Sequence, residues 1–137
     1  YQKLDDAVSY LLSSVCNEKK FLKSIFGKKK IFYIDIGTNE GNFLEYLSDL
    51  FQFKKIICFE PIYSLAQKLK SNFNEKNIEI NNMALSDKSS VRKFYEYKIS
   101  SQSSLYKQND IFKSLKSLKK ISKVKTITFD QKFKKKK

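Results

Sequence analysis

Two short, almost continuously apolar segments constrain the fold more than any other feature of the sequence. They are IFYIDI at residues 31–36 and IICF at residues 56–59. The stretch between them repeats apolar residues at helical spacing, for example at Phe43, Leu44 and Leu47. An apolar strand, an amphipathic helix and a second apolar strand form a βαβ unit, whose strands pair in parallel and are buried on both faces. The sequence therefore predicts an α/β fold around a parallel sheet.

The pattern continues into a second unit and then changes. Pro61 has no backbone N–H to donate and marks a turn, after which Tyr63–Phe73 shows helical spacing. Asn77–Met83 gives a third strand, so the order of elements predicts consecutive βαβ units with right-handed crossovers. From Asp87 to Tyr97 the apolar residues change to two-residue alternation, which predicts an antiparallel hairpin or an added edge strand.

The two ends of the chain carry further helix and strand signals. Residues 4–26 place apolar side chains mostly three or four positions apart, which predicts one amphipathic helix or two helices broken near Asn17. Residues 111–121 predict a short helix, and Val124–Phe129 alternates like a strand. The predicted organisation is an N-terminal helical segment (residues 1–30), a partial domain built on the sheet (residues 31–130) and a lysine-rich tail (residues 131–137).

The composition excludes several kinds of catalytic chemistry. The 137 residues include no histidine, so a Ser-His-Asp triad and a histidine-ligated zinc site are ruled out, and the sequence assigns no metal ligands. Cys16 and Cys58 are far apart without CxxC spacing, which predicts buried thiols of a reduced, cytoplasmic protein. No apolar run has the length of a membrane span, and no signal-peptide pattern is present.

The charge of the chain is strongly positive, but its type and position limit what it implies. There are 28 Lys and Arg residues against 14 Asp and Glu, a formal net charge of +14, and Arg92 is the only arginine. Arginine is the residue that reads guanine edges and binds phosphate through two bonds, so its scarcity argues against nucleic acid as the partner. Residues 113–137 hold most of the excess lysines. A lysine-rich module that binds nucleic acid or an anionic surface is the alternative interpretation.

The sequence DIGTNEG, residues 35–41, joins the first strand to its helix and is the candidate ligand-binding loop. It matches neither the G-x-G-x-x-G fingerprint of dinucleotide sites nor the G-K-[ST] of phosphate-binding loops. Instead, Asp35 and Glu60 place one carboxylate near the end of each of two strands. A carboxylate can accept both hydroxyls of a ribose, and another can face a cationic amino-acid group. S-adenosylmethionine has both features and no phosphate, so it suits these strand ends better than a dinucleotide.

Five blocks in order resemble the FkbM-type S-adenosylmethionine-dependent methyltransferases. They are IFYIDIGTNEGNF, IICFEP, NNMALSDK, SSQSSL and VKTITFD, and they cover residues 31–130. The resemblance implies a Rossmann-like class I methyltransferase sheet, of which the βαβαβ half is present. It also implies O-methylation of a hydroxyl on a small-molecule or glycan acceptor. By this resemblance the cofactor site comprises Asp35, Gly37, Thr38, Asn39, Gly41, Glu60, Pro61, Asn82, Ala84 and Leu85.

The resemblance stops before the family's domain is complete. In that family the last block leads into a further strand with a K-x-D-x-E-G motif beside the first strand, whereas here Asp130 is followed by QKFKKKK. We therefore expect a truncated domain with an open sheet edge at the first strand, present as a cofactor-binding fragment. An inactive methyltransferase remnant is a further alternative. The sequence assigns no catalytic base, acceptor identity or oligomeric state.

Overall fold

The computed structural model describes residues 20–107 and 118–134 of the chain. Its elements in order are α1 (residues 20–26), β1 (Ile31–Ile36), α2 (Asn42–Ser48), β2 (Phe53–Phe59), α3 (Tyr63–Asn72), β3 (Ile78–Asn81), β4 (Ala84–Leu85), β5 (Ser90–Tyr97), a 3-10 turn (Ser100–Gln102), β6 (Leu118–Ile127) and α4 (Phe129–Phe133). Helix α1 confirms the helical prediction for residues 20–26; residues 4–19 of that prediction lie outside the described part. In the described part, no helix is both long and apolar enough to cross a membrane.

The first three strands form a parallel sheet in the order β1-β2-β3, with α2 and α3 in the connections between them. Cys58 on the central strand lies opposite Asp35 on one side and Ile80 on the other. Leu44 of α2 packs against Ile56 and Cys58, and all three side chains are almost fully buried. This arrangement confirms the predicted mixed α/β fold with a parallel sheet, because the apolar face of the helix covers the central strand.

A second, mixed sheet has the order β4-β6-β5, with β4 parallel and β5 antiparallel to β6. Strand β5 is therefore an edge strand, which was one of the two predicted arrangements. Its partner is β6, which comes much later in the chain, so the two strands do not form a tight hairpin. Phe94 and Val124 on the inner face of this sheet pack with Ile62, which directly precedes α3. The second sheet is thus joined to the first through the β2–α3 connection.

Two predictions near the C-terminus are wrong in the described part. Residues 118–121, predicted as the end of a helix, are the start of β6, and residues 111–117 lie outside the described part. Apolar residues every three positions along this segment are typical of a helix. The segment is nevertheless a strand, because it pairs with β5 and turns Val124 and Thr126 to the buried face of the sheet. The predicted strand also ends early, because Thr128 caps α4 by accepting a hydrogen bond from the Gln131 N–H at 3.2 Å.

Strand β1 is at the edge of the described part of the parallel sheet. Phe32 is 52% exposed and Ile36 62% exposed, both on the face opposite Tyr33 and Asp35. The expected open edge at the first strand is therefore found among the described residues. No described strand pairs with its outer backbone groups, and together with the exposed apolar side chains they make this edge prone to pair with another strand.

Lys132 connects α4 to the parallel sheet, so residues 131–133 of the predicted tail belong to a docked helix. Its Nζ lies 2.5 Å from Oε1 of Glu79 and 2.7 Å from Oδ1 of Asn81, and Lys55 lies 3.0 Å from the other Glu79 oxygen. These contacts lower the pKa of Glu79 to about 2, and the hydrogen bond from Lys132 is the largest cause.

The depressed pKa of Glu79 predicts an acid-sensitive contribution to stability. A carboxyl with a lower pKa in the folded state stabilises the fold above its unfolded value near 4.5, and this contribution is lost as the pH falls toward about 2. Since the side chain is 36% exposed, we expect about 1–2 kcal/mol after solvent screening. Urea unfolding between pH 7 and pH 2.5 should show this loss in the parent chain and a flatter profile in Lys132→Met. Lys134→Met, at an exposed lysine, should keep the parent profile.

Candidate functional site

The loop between β1 and α2 is folded back against the end of β2. The N–H groups of Gly37 and Thr38 both donate to the Phe59 carbonyl, at 2.8 and 3.2 Å. Gly37, Asn39 and Gly41 all have positive φ, at +77°, +53° and +91°. Glycine and asparagine are the residues that adopt this region most readily, so the DIGTNEG sequence can form this turn with little strain.

The two glycines of this loop have different roles. A Cβ at Gly37 would meet no atom within 4 Å, so the backbone there faces open space. A Cβ at Gly41 would lie 2.8 Å from both Leu69 Cδ2 and Phe73 Cε2 of the α3 segment. The backbone at Gly37 is therefore sterically open to a ligand, whereas the absence of a side chain at Gly41 allows the start of α2 to pack against α3.

Glu60 is a buried carboxylate that ties the loop to the turn after β2. Its Oε2 accepts the Asn39 N–H and its Oε1 accepts the Ile62 N–H, both at 2.7 Å, and the residue is only 3% exposed. Burial raises the pKa of Glu60, and the two N–H donors oppose part of that rise. Each oxygen has a further lone pair, so acceptance of ribose hydroxyls stays a prediction. Its two hydrogen bonds give Glu60 a second role, because they fix the loop against the turn after β2.

Asp35 is near the end of β1, directly before the loop. It pairs across the sheet with Cys58, which is fully buried, and burial raises the pKa of both side chains, that of Cys58 to about 11. Burial also raises the pKa of Tyr33, two residues earlier on the same face. Contact of Asp35 with a cationic head group therefore stays a prediction.

A cavity of about 410 Å³ opens where the carboxyl ends of β1 and β2 meet the second sheet. Six of the predicted site residues line it: Gly37, Asn39, Glu60, Pro61, Ala84 and Leu85. The other four, Asp35, Thr38, Gly41 and Asn82, are not among its lining residues. Asn82 instead donates through Nδ2 to the carbonyls of Glu60 and Pro61, at 2.9 and 3.0 Å, and so supports the wall from behind.

The remaining walls come from residues that the sequence did not place in the cofactor site. They are Ile36, Phe59, Ile62, Phe94, Ser100, Ser101, Ser103, Ser104, Leu105 and Tyr106. The serine-rich segment is docked on β5: the Ser103 Oγ accepts the Tyr97 N–H at 3.1 Å, and Ser104 exchanges two backbone hydrogen bonds with Tyr95. One feature of the sequence could have placed this segment in the site. The SSQSSL block stands between two strand blocks, and a segment that connects two strands can return to the same edge of the sheet.

The polar atoms at the cavity suit a ligand with hydroxyl or amino groups. Asn39 lines the cavity, and its Oδ1 is buried without a hydrogen-bond partner in the described part of the chain. A buried acceptor without a partner is costly, but this oxygen is closed to solvent, so a ligand donor can reach it only after the Asn39 side chain rotates. The site therefore combines apolar walls with a few hydrogen-bonding groups, the usual composition of a small-molecule site.

The lysine-rich C-terminal part contributes no residue to this cavity within the described ranges. Two of its lysines form ion pairs inside the fold, Lys132 with Glu79 and Lys120 with Glu96 at 3.4 Å. Lys123 lies opposite Lys93 on the exposed face of the second sheet. Binding of nucleic acid or an anionic surface stays an alternative prediction.

Comparison of the chain with protein-family models, with curated proteins and with solved structures finds no match. The functional assignment therefore depends on the geometry of the cavity and on the sequence blocks that surround it.

Proposed function

We propose that the chain is the cofactor-binding part of an S-adenosylmethionine-dependent methyltransferase of FkbM type, which methylates a hydroxyl of a sugar or another small metabolite. The observation that carries the proposal is the cavity at the carboxyl ends of β1 and β2. Open α/β sheets bind ligands at this edge. Four of the five sequence blocks, those with Gly37, Glu60, Ala84 and Ser103, converge on it.

The residues present fit the cofactor better than they fit a nucleotide phosphate. The described lining residues include one carboxylate, Glu60, and no lysine or arginine. A negative and otherwise neutral lining favours a ligand with ammonium, sulfonium and ribose groups over one with a pyrophosphate. A volume of about 410 Å³ is within the range of small-molecule sites.

Each part of the cavity can be given a task toward this cofactor. The open backbone at Gly37 leaves room for a ligand chain, and the hydroxyl-bearing residues Ser100, Ser101, Ser103 and Ser104 line the same cavity. Ala84, Leu85 and Ile62 offer apolar surface to a base. Bound S-adenosylmethionine supplies an activated methyl group, so the chain mainly has to hold and align it and exclude water.

The proposal is tested with a pair of glycine variants. Gly37→Asn places a side chain in the open space of the cavity, whereas Gly27→Asn does the same at a glycine outside it. Both positions have positive φ with no atom within 4 Å of a Cβ, and asparagine tolerates this conformation, so the backbone strain is matched.

We expect the parent and Gly27→Asn to bind S-adenosylhomocysteine with similar Kd in calorimetry, and Gly37→Asn to bind at least about thirtyfold more weakly. The ground for the loss is that an added side chain fills space the ligand needs, at a cost of about 2 kcal/mol or more. Circular dichroism of all three chains controls for folding. Absence of binding by the parent, or equal binding by Gly37→Asn, would overturn the assignment.

A further inference from the structure

Arg92, the only arginine of the chain, is on β5, the strand to which the serine-rich segment is bonded. Its Nη1 donates to Ser86 Oγ at 2.8 Å and to Asp87 Oδ1 at 3.2 Å, so the guanidinium is fixed by two groups that follow β4. A guanidinium can form such hydrogen bonds in its plane and still present a flat face to an aromatic ring. Lysine, used at the other 27 cationic positions, has no such face.

Tyr106 contacts this guanidinium, and its side chain is the largest cause that raises the pKa of Arg92. The Arg92 guanidinium carbon lies over the Tyr106 ring, 5.3 Å from its centroid. The other end of Tyr106 is held as well, because its backbone N–H donates to Ser104 Oγ at 3.1 Å and Ser104 is bonded to Tyr95 of β5. The ring is thus positioned at the backbone and over its face, although it is at a largely exposed position.

Tyr106 lines the cavity, and Arg92 does not. Tyr106 is 67% exposed, so much of its side chain faces solvent, and the apolar residues Leu105, Leu85 and Ile62 line the same cavity. A fixed aromatic ring with an open surface beside an apolar wall is a platform for a flat heterocycle, because bases stack on aromatic side chains through their π-faces.

We propose that Tyr106 is the stacking wall for the adenine ring of the bound cofactor and that Arg92 is the positioning residue that holds Tyr106. This inference depends on the proposed function and deepens it, since it names the group that recognises the base. Tyr106 makes the contact with the base, and Arg92 acts only through the tyrosine ring.

Two tyrosines of equal exposure provide a matched test. Tyr106 is 67% and Tyr63 68% exposed, but Tyr63 does not line the cavity. We expect Tyr106→Ala to weaken binding of S-adenosylhomocysteine and of adenosine by a similar factor, about 10- to 100-fold, because the lost stacking is on the group that the two ligands share. Tyr63→Ala should stay within about threefold of the parent. Tyr106→Phe keeps the ring but loses the hydroxyl that interacts with Arg92, so its affinity should fall between those of the parent and Tyr106→Ala.

A double-variant cycle tests the role of Arg92. Arg92→Met should weaken adenosine binding in the parent but leave it nearly unchanged in the Tyr106→Ala background, because a positioning residue has nothing left to position there. Arg92→Lys should not restore binding, since an ammonium cannot present a flat face. An equal effect of Arg92→Met in both backgrounds contradicts its positioning role.

The possible failures are distinguishable. No binding of S-adenosylhomocysteine by the parent removes the proposed function and this inference with it. Normal binding by the parent together with unchanged binding by Tyr106→Ala overturns only the inference. Thermal unfolding of each variant checks the fold, and Tyr106→Phe keeps the ring as a second variant should Tyr106→Ala fold poorly.

Discussion

Replacement of Gly41 by alanine is expected to destabilise the fold by about 2–4 kcal/mol. The residue has φ +91°, a region that costs a non-glycine residue about 1–3 kcal/mol. The added Cβ also lies 2.8 Å from Leu69 Cδ2 and from Phe73 Cε2, and Leu69 is fully buried and has little room to move. Overpacking of this kind adds about 1–3 kcal/mol. Urea denaturation of the parent and the variant measures the difference.

Gly37→Ala is the matched control for this prediction. Gly37 is in the same loop with φ +77°, but its Cβ would meet no atom within 4 Å. Gly37→Ala should lower the free energy of unfolding by only about 1 kcal/mol, the conformational cost, because no neighbouring atom obstructs the added Cβ. Equal destabilisation by the two substitutions would show that the contact of Gly41 with α3 contributes nothing beyond backbone strain.

The sequence was most informative where one periodicity accounts for burial. Strand β1 has the predicted bounds, Ile31–Ile36, because both of its neighbouring residues in the chain are poor strand formers and its own residues are apolar. Strand β2 begins at Phe53, three residues before its prediction, because Lys54 and Lys55 are polar residues within a strand that is only half-buried at that end. Pairing with β1 extends the strand past the apolar run.

Strand β6 could not be predicted at its start for a different reason. Leu118 and Ile121 are three residues apart, as on a helix, and the lysines between them also favour a helix over a strand. The strand is decided by its partner: residues 118–126 pair with β5, whose sequence is about thirty positions earlier. Local periodicity does not contain that tertiary information.

Only part of the candidate site could be predicted from the sequence, and the reason is related. The blocks with Gly37, Glu60 and Ala84 are next to strand ends, and parallel strands bring such ends to one edge of the sheet. The serine-rich segment and Tyr106 come to the same cavity through side-chain and backbone contacts with β5, which no local pattern indicates. The distinction between Gly37 and Gly41 likewise requires the position of α3.

Glu60→Gln is expected to destabilise the fold by about 1–3 kcal/mol and, with it, to weaken binding of the proposed cofactor. A glutamine amide has one acceptor oxygen, so it can satisfy the N–H of Asn39 or of Ile62 but turns an NH₂ group toward the other. At a residue 3% exposed, a donor without a partner carries that cost because water cannot replace the lost bond.

Glu40→Gln is the control for this change, since Glu40 is an exposed carboxylate in the same loop. Its ion pair with Lys68, at 3.8 Å between exposed side chains, should contribute less than about 0.5 kcal/mol. Urea unfolding should therefore separate the two variants clearly, and similar values would contradict the structural role of Glu60. The comparison also decides how a binding loss in a Glu60 variant is interpreted. If stability falls together with affinity, the loss of binding reports the loop that Glu60 holds and not a contact between Glu60 and the ribose.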